Sequence, residues 1–128
     1  MTRAAVMRWV RAYEDGWRSE DRSAVGRLFT DDATYLRSPY ASPLVGHAAI
    51  QEFWVDDDED GSVFTMTAEP VAVEDVDAVV RVLVRYGEPV TQEYRDLWVL
   101  RFGPDGRAEL FEEWAYWPEK TFTASAVG

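Results

Sequence analysis

The chain has no cysteine and a single histidine, so acid/base chemistry falls mainly to carboxylates and tyrosines. His47 would be the obvious general base. It follows Gly46 at the start of a helix, however, a place that suits a surface or capping role. A lone histidine also makes no metal site without carboxylates at matching spacing. Other residues share faces with aromatic side chains. In Glu93–Phe102, alternation puts Tyr94, Asp96, Trp98, Leu100 and Phe102 on one side. In Arg107–Tyr116 and just beyond, Glu113 shares a side with Glu109, Phe111, Ala115 and Trp117. Arg37 ends a stretch that sets Ala33, Tyr35 and Arg37 together, and Tyr13 lies on a helical stripe. A carboxylate can move a proton, and a guanidinium or a tyrosine hydroxyl can stabilise the negative charge that develops.

One acidic run invites a metal reading. Asp56, Asp58, Asp60 and Gly61 reproduce the first half of a calcium loop. The twelfth position is Thr67 rather than a bidentate glutamate, and Val63–Thr67 reads as a strand instead of an exiting helix. The run is expected to be a solvated loop. No metal and no cofactor is expected.

The elements that must position these side chains follow from periodicity. Thr2 is suited to cap a first helix in which Val6, Trp9, Val10, Tyr13 and Trp17 fall on one stripe. Asp21 is placed to cap a short second helix that buries Val25, Leu28 and Phe29. Ala33–Arg37 reads as a strand, ended by Ser38-Pro39 because proline offers no ladder donor. Gly46–Trp54 gives a third helix that buries Ile50, Phe53 and Trp54. Four strands complete the chain: Val63–Val73, Ala78–Tyr86, Glu93–Phe102 and Arg107–Tyr116. Helices first and a run of strands last predict an α+β fold, three helices on a curved, mostly antiparallel sheet.

Composition narrows the partners. A chain of 128 residues, 47% apolar, is one domain spanning 1–128 with a real core. A net charge of -11 argues against nucleic acid and anionic membrane as partners. The amphipathic N-terminus, with Arg3, Arg8 and Arg11, does not read as a signal peptide, so a cytoplasmic location is expected. The strand Ala78–Tyr86 has apolar side chains on both faces, with Val79, Arg81, Leu83 and Arg85 on one and Val80, Val82, Val84 and Tyr86 on the other, the two arginines being able to keep their face wet. Such a strand needs cover on both sides, which predicts a homodimer.

Two segments carry a family resemblance. Leu28 to Trp54, LFTDDATYLRSPYASPLVGHAAIQEFW, runs from a helix end through an Asp-Asp turn, a strand and a proline-broken loop into a helix. Arg95 to Trp117 matches the last hairpin of the same architecture. Together they resemble the SnoaL-like, nuclear transport factor 2-like superfamily of small cone-shaped α+β domains. The resemblance implies a pocket between helices and concave sheet, lined by Tyr13, Trp17, Tyr35, Arg37, Trp54, Asp96, Trp98, Phe111 and Glu113.

Relatives sharpen what that pocket is expected to do. Compared with steroid isomerases of this superfamily, Tyr13 matches the tyrosine that donates to the enolate. Arg37 replaces their carboxylate base and Trp98 their protonated aspartic acid; the handed-down pairing of base and oxyanion hole is thus incomplete. An arginine does not abstract a proton at neutral pH, so steroid-type isomerisation is not expected. Compared with limonene-type epoxide hydrolases, Tyr35 and Glu113 match, but no Arg-x-Asp stands in the middle strand: Leu83 follows Arg81, and Gly87 follows Arg85.

The expectation is a binder of a small, largely apolar molecule, with cofactor-free acid/base chemistry of cyclase, hydrolase or isomerase type. Catalytic roles would fall to Arg37, Asp96, Glu113 and Tyr13. Ligand contacts would come from Trp17, Tyr35, Trp54, Trp98 and Phe111. Arg37 is expected to reach Glu113 or Asp96. The competing expectation is a non-catalytic binding or dimerisation module. For Tyr13 the alternative is a core tyrosine with its hydroxyl satisfied inside the protein.

Overall fold

The structure is a computed structural model and describes residues 1–56 and 63–119. Helix α1 (Arg3–Arg18) starts where the sequence says it should, with the Thr2 hydroxyl accepting from the Ala5 N–H at 3.0 Å. Its stripe of Val6, Trp9, Val10 and Tyr13 is buried. Helix α2 (Ala24–Leu28) starts later than expected, and Asp21 is not its cap. Instead the Asp21 carboxylate accepts from the Ser23 N–H at 3.0 Å and from its hydroxyl at 2.6 Å, tying the preceding turn. Phe29 leaves the helix and opens strand β1 (Phe29–Leu36). Helix α3 spans His47–Asp56. Apart from the backbone of Asp56, the acidic run that resembled half a calcium loop lies outside the described residues.

The remaining strands are β2 (Leu44–Val45), β3 (Phe64–Glu74), β4 (Asp77–Tyr86), β5 (Gln92–Phe102) and β6 (Ala108–Tyr116). They form one six-stranded sheet in the order β2-β1-β6-β5-β4-β3. All pairings are antiparallel except β1 with β6, which is parallel. The two-residue β2, inside the proline-broken loop, carried no alternation to announce it. Helix α1 meets the sheet at the edge strand β3 and at β1, next to the other edge. Trp9 packs edge-on against Phe29 of β1, while the Arg18 guanidinium donates to the Phe64 carbonyl of β3 at 2.9 Å. A sheet whose edge strand and next-to-last strand on the far side both meet one helix must curl around it. This is the α+β cone.

The faces follow the alternation with one break. On β4 and β5, Ala78, Val80, Val82, Asp96, Trp98, Leu100 and Phe102 are buried, and Arg81, Arg85, Arg95 and Arg101 are exposed. On β6, Phe111 pairs with Leu100 and Glu113 with Trp98, as parity requires. Between Leu110 and Ala108 the register shifts, so Glu109 bulges outward and Ala108 turns in. Glu109 therefore does not share the inner face, contrary to the simple alternation. No helix among the described residues is long and apolar enough to cross a membrane.

Candidate functional site

A cavity of about 430 Å³ lies between α1, α3 and the inner face of the sheet. Its deep end is built by Tyr13 from α1, Tyr35 from β1, and Asp96 and Trp98 from β5, all buried. Its outer end carries Glu113 and Trp117 from the last strand and its exit, Phe53 from α3, and the exposed Arg37. Such an aromatic cleft with a few converging polar groups has the make-up of a small-molecule site.

The Tyr13 and Tyr35 hydroxyls bond to each other at 2.7 Å in the buried wall. Burial above all, then the neighbouring Tyr35 and the charge of Glu113, push the Tyr13 phenol well above its ordinary range. Tyr13 is thus held neutral, as a hydrogen-bond donor must be. Either hydroxyl can be the donor in that bond, and where Tyr35 donates to Tyr13 the Tyr13 proton is turned toward the cavity. Packing fixes the pair from behind. Phe111 stacks on Tyr13 at 5.3 Å and on Tyr35 at 4.6 Å between ring centroids.

Asp96 is the buried charged residue of the core, only 6% exposed. Its neighbours across the sheet are Val82 and Ala115, small or branched residues that leave room on the cavity side. Glu113 sits opposite Trp98 and close enough to Tyr13 for its charge to act there. The Nε1 donors of Trp54 and Trp98 are buried without a hydrogen-bond acceptor among the described residues. That of Trp9 donates to the Leu28 carbonyl at 2.8 Å.

Of the nine residues expected around the pocket, the cavity brings together Tyr13, Trp17, Tyr35, Arg37, Asp96, Trp98 and Glu113. Trp54 and Phe111 do not line it. Trp54 stands behind Tyr13 and Trp17, edge-on to both at 5.3 and 5.5 Å, and Phe111 is wholly buried in the core. The expected Arg37 pairing is not made either: among the described residues no carboxylate lies within ion-pair distance of Arg37. Strand β1 ends at Leu36, so Arg37 leaves the sheet, and its guanidinium rests over the Phe53 ring at 5.2 Å.

The sequence reading missed Phe64, Met66, Val84 and Tyr86, which close the β3–β4 side of the cavity. The inner-face parity of β4 held that signal for Val84 and Tyr86. His47 lies outside the cavity. Its Nε2 is 2.8 Å from the Phe29 carbonyl, fastening the start of α3 to β1, and Arg107 donates to the same carbonyl at 3.2 Å. Among the described residues no group of three or more His, Asp or Glu side chains is placed to hold a metal ion.

An α+β cone with its cavity at the open end defines the nuclear transport factor 2-like, or cystatin-like, class of domain. Residues 10–123 match the SnoaL-like domain, and the chain belongs to that family. No curated protein matches this chain. Among solved structures it is similar to RV0760c from Mycobacterium tuberculosis in complex with estradiol-17beta-hemisuccinate. That match has 14% identity, covers 86% of this chain and 92% of the other, and has a TM-score of 0.68. It is similar to SalBIII, an epoxide hydrolase/cyclase-like enzyme of pyran ring formation in salinomycin, at 18% identity, 87% and 88% coverage and TM-score 0.66. The hub of a CaMKII from S. rosetta matches at 16% identity, 91% and 98% coverage and TM-score 0.66. A ligand-bound protein, an enzyme and a hub share this backbone, so the backbone alone does not choose among such roles.

Proposed function

We propose that the cavity binds a small, largely apolar molecule with a hydrogen-bond-accepting oxygen, and that the chain performs cofactor-free acid/base chemistry on it. The observation that carries this reading is the buried Tyr13–Tyr35 hydroxyl pair, 2.7 Å apart, on the wall of a cavity that also holds Asp96 and Glu113. The ligand bound by RV0760c and the ring-forming role of SalBIII support the ligand class.

In this reading one carboxylate takes a proton from the carbon next to a carbonyl. The C–H electron pair moves into a carbon–carbon double bond, and the carbonyl oxygen takes the negative charge. Tyr13, kept neutral by its burial, donates to that oxygen. The proton then returns at another carbon in an isomerisation. In a cyclisation the enolate carbon instead attacks a second carbonyl carbon of the same molecule. The C=O π pair of that carbonyl moves onto its oxygen, and that oxygen takes the proton from the carboxylic acid. Arg37 takes no part as a base.

The test uses 2-tetralone, an apolar ketone with acidic α-protons, in deuterated buffer. NMR should show deuterium entering the α-position faster than in buffer alone. The joint Asp96→Asn, Glu113→Gln variant should lose about 10²-fold or more of that acceleration, the usual worth of a positioned base. Saturable binding without acceleration would leave a non-catalytic binding domain. No saturable binding would end the reading.

A second part of the proposal is a homodimer through the convex face. Leu97 and Trp114 sit opposite each other there, 38% and 43% exposed.

A further inference from the structure

The arginines of this protein are not alike. Among the described residues Arg3, Arg8, Arg11 and Arg22 make no ion pair but lie away from the cavity lining, and the other guanidinium groups outside that lining pair with a carboxylate. All four arginines of β4 and β5 do so: Arg81 with Glu69, Arg85 and Arg95 with Glu93, Arg101 with Asp77. Arg18, beside the cavity, is fully engaged. It holds Glu14 at 2.6 Å, donates to the Phe64 carbonyl at 2.9 Å and lies over the Phe64 ring at 3.8 Å. Arg37 borders the same cavity as Asp96 and Glu113 yet is on neither, and its guanidinium rests over the Phe53 ring.

We propose that Arg37 receives an anionic end of the ligand, so that the molecule taken up carries a carboxylate in addition to the apolar, carbonyl-bearing body that fills the cavity. This rests on the cavity being a ligand site, as proposed above, and adds the ligand's charge and orientation. The apolar body lies in the aromatic cavity, and the carboxylate reaches out to the guanidinium at the mouth. A planar guanidinium offers a carboxylate two parallel N–H donors, and the Phe53 face beneath it pre-orders that fork. The outer position keeps the ligand's charge away from buried Asp96, and there Arg37 has to outweigh the half-buried Glu113 at the same end. An exposed arginine with no carboxylate beside it among the described residues costs nothing in the empty protein, because water solvates it. The cavity therefore carries a ready cation at its entrance.

The test titrates the protein with 1-pyrenebutyrate and with its methyl ester, which share one apolar body and differ in one charge. Pyrene fluorescence should report about tenfold or more tighter binding of the acid in low salt, the scale of a hydrogen bond to a charged group. Arg37→Met should collapse that preference to about twofold or less, Arg37→Lys should keep part of it, and added salt should shrink it in the natural protein. Equal binding of acid and ester, or a preference that survives Arg37→Met, would overturn the assignment while leaving the cavity reading in place. Failure of both probes to bind would take the cavity reading with it.

Discussion

Strands β5 and β6 cross two regions that obey the same alternation and end in opposite ways. At one end Leu100, Phe102, Ala108 and Phe111 are packed solid, none more than 1% exposed. At the other end Tyr94, Asp96, Glu113 and Trp117 border a cavity of about 430 Å³. The difference comes from what lies above them. Over the closed end, Trp9 of α1 drives its ring into the sheet, edge-on to Phe102 at 5.8 Å and tilted on Phe111 at 6.2 Å. Over the open end, Tyr13 and Trp17 stack on each other at 6.2 Å and leave the volume beside them unfilled. The closed end holds the fold together, and the open end has carboxylates and hydroxyls where a core would have methyl groups. Proteins keep such groups inside at a cost in stability, and a site is a common reason.

The comparison breaks most visibly at Phe111. Truncation to alanine should cost about 3–5 kcal/mol, the usual loss for a buried aromatic, and should loosen the tyrosine pair that stacks on it. Urea unfolding checks this, and a loss below about 1 kcal/mol would mean the closed end is not a packed core. On the convex face, Trp114→Glu should shift a dimer to monomer in sedimentation at micromolar protein. A natural protein that sediments only as a 14.6 kDa species would remove that interface. At the open end, Tyr13→Phe should cost only about 1 kcal/mol, one neutral hydrogen bond, while slowing any catalysed exchange far more.

The smallest effect is on alkaline stability. The folded protein holds the Tyr13 proton more tightly than the unfolded chain does. The stability linked to this group is therefore complete below about pH 10 and is lost as the pH rises through the folded-state value. Absorbance of phenolate should show the Tyr13 signal appearing only above the ordinary tyrosine range or on unfolding. Tyr13→Phe should remove that part of the alkaline decline.

Much of this was legible in the sequence, and the gaps have physical causes. The Thr2 cap, the inner faces of β4 and β5, and the order of helices and strands all follow from short-range periodicity. Alternation tells which side of a sheet a residue faces but not how far along the cone it lies. Phe111 and Trp54 thus read as pocket wall when they stand behind it. Arg37 has the inward parity, yet the strand stops one residue earlier, and a side chain beyond the last ladder bond is free to leave. The outward turn of Glu109 comes from a bulge, an extra residue whose place no alternation announces. Asp96 and Glu113 were readable because two separate strands put a charge on a face otherwise aromatic.

The central claim is that the open end, and not the convex face, takes up small molecules. The indole N–H resonances of the 6 tryptophans test it in one nitrogen-correlated NMR titration with 2-tetralone. Trp17, Trp98 and Trp117 line the cavity, Trp9 is tied to the Leu28 carbonyl in the core, and Trp114 is on the outer surface bonded to Glu112. Saturable shifts at Trp17, Trp98 and Trp117, with Trp114 unmoved, are the expected result. Shifts at Trp114 with the three cavity signals still would contradict it.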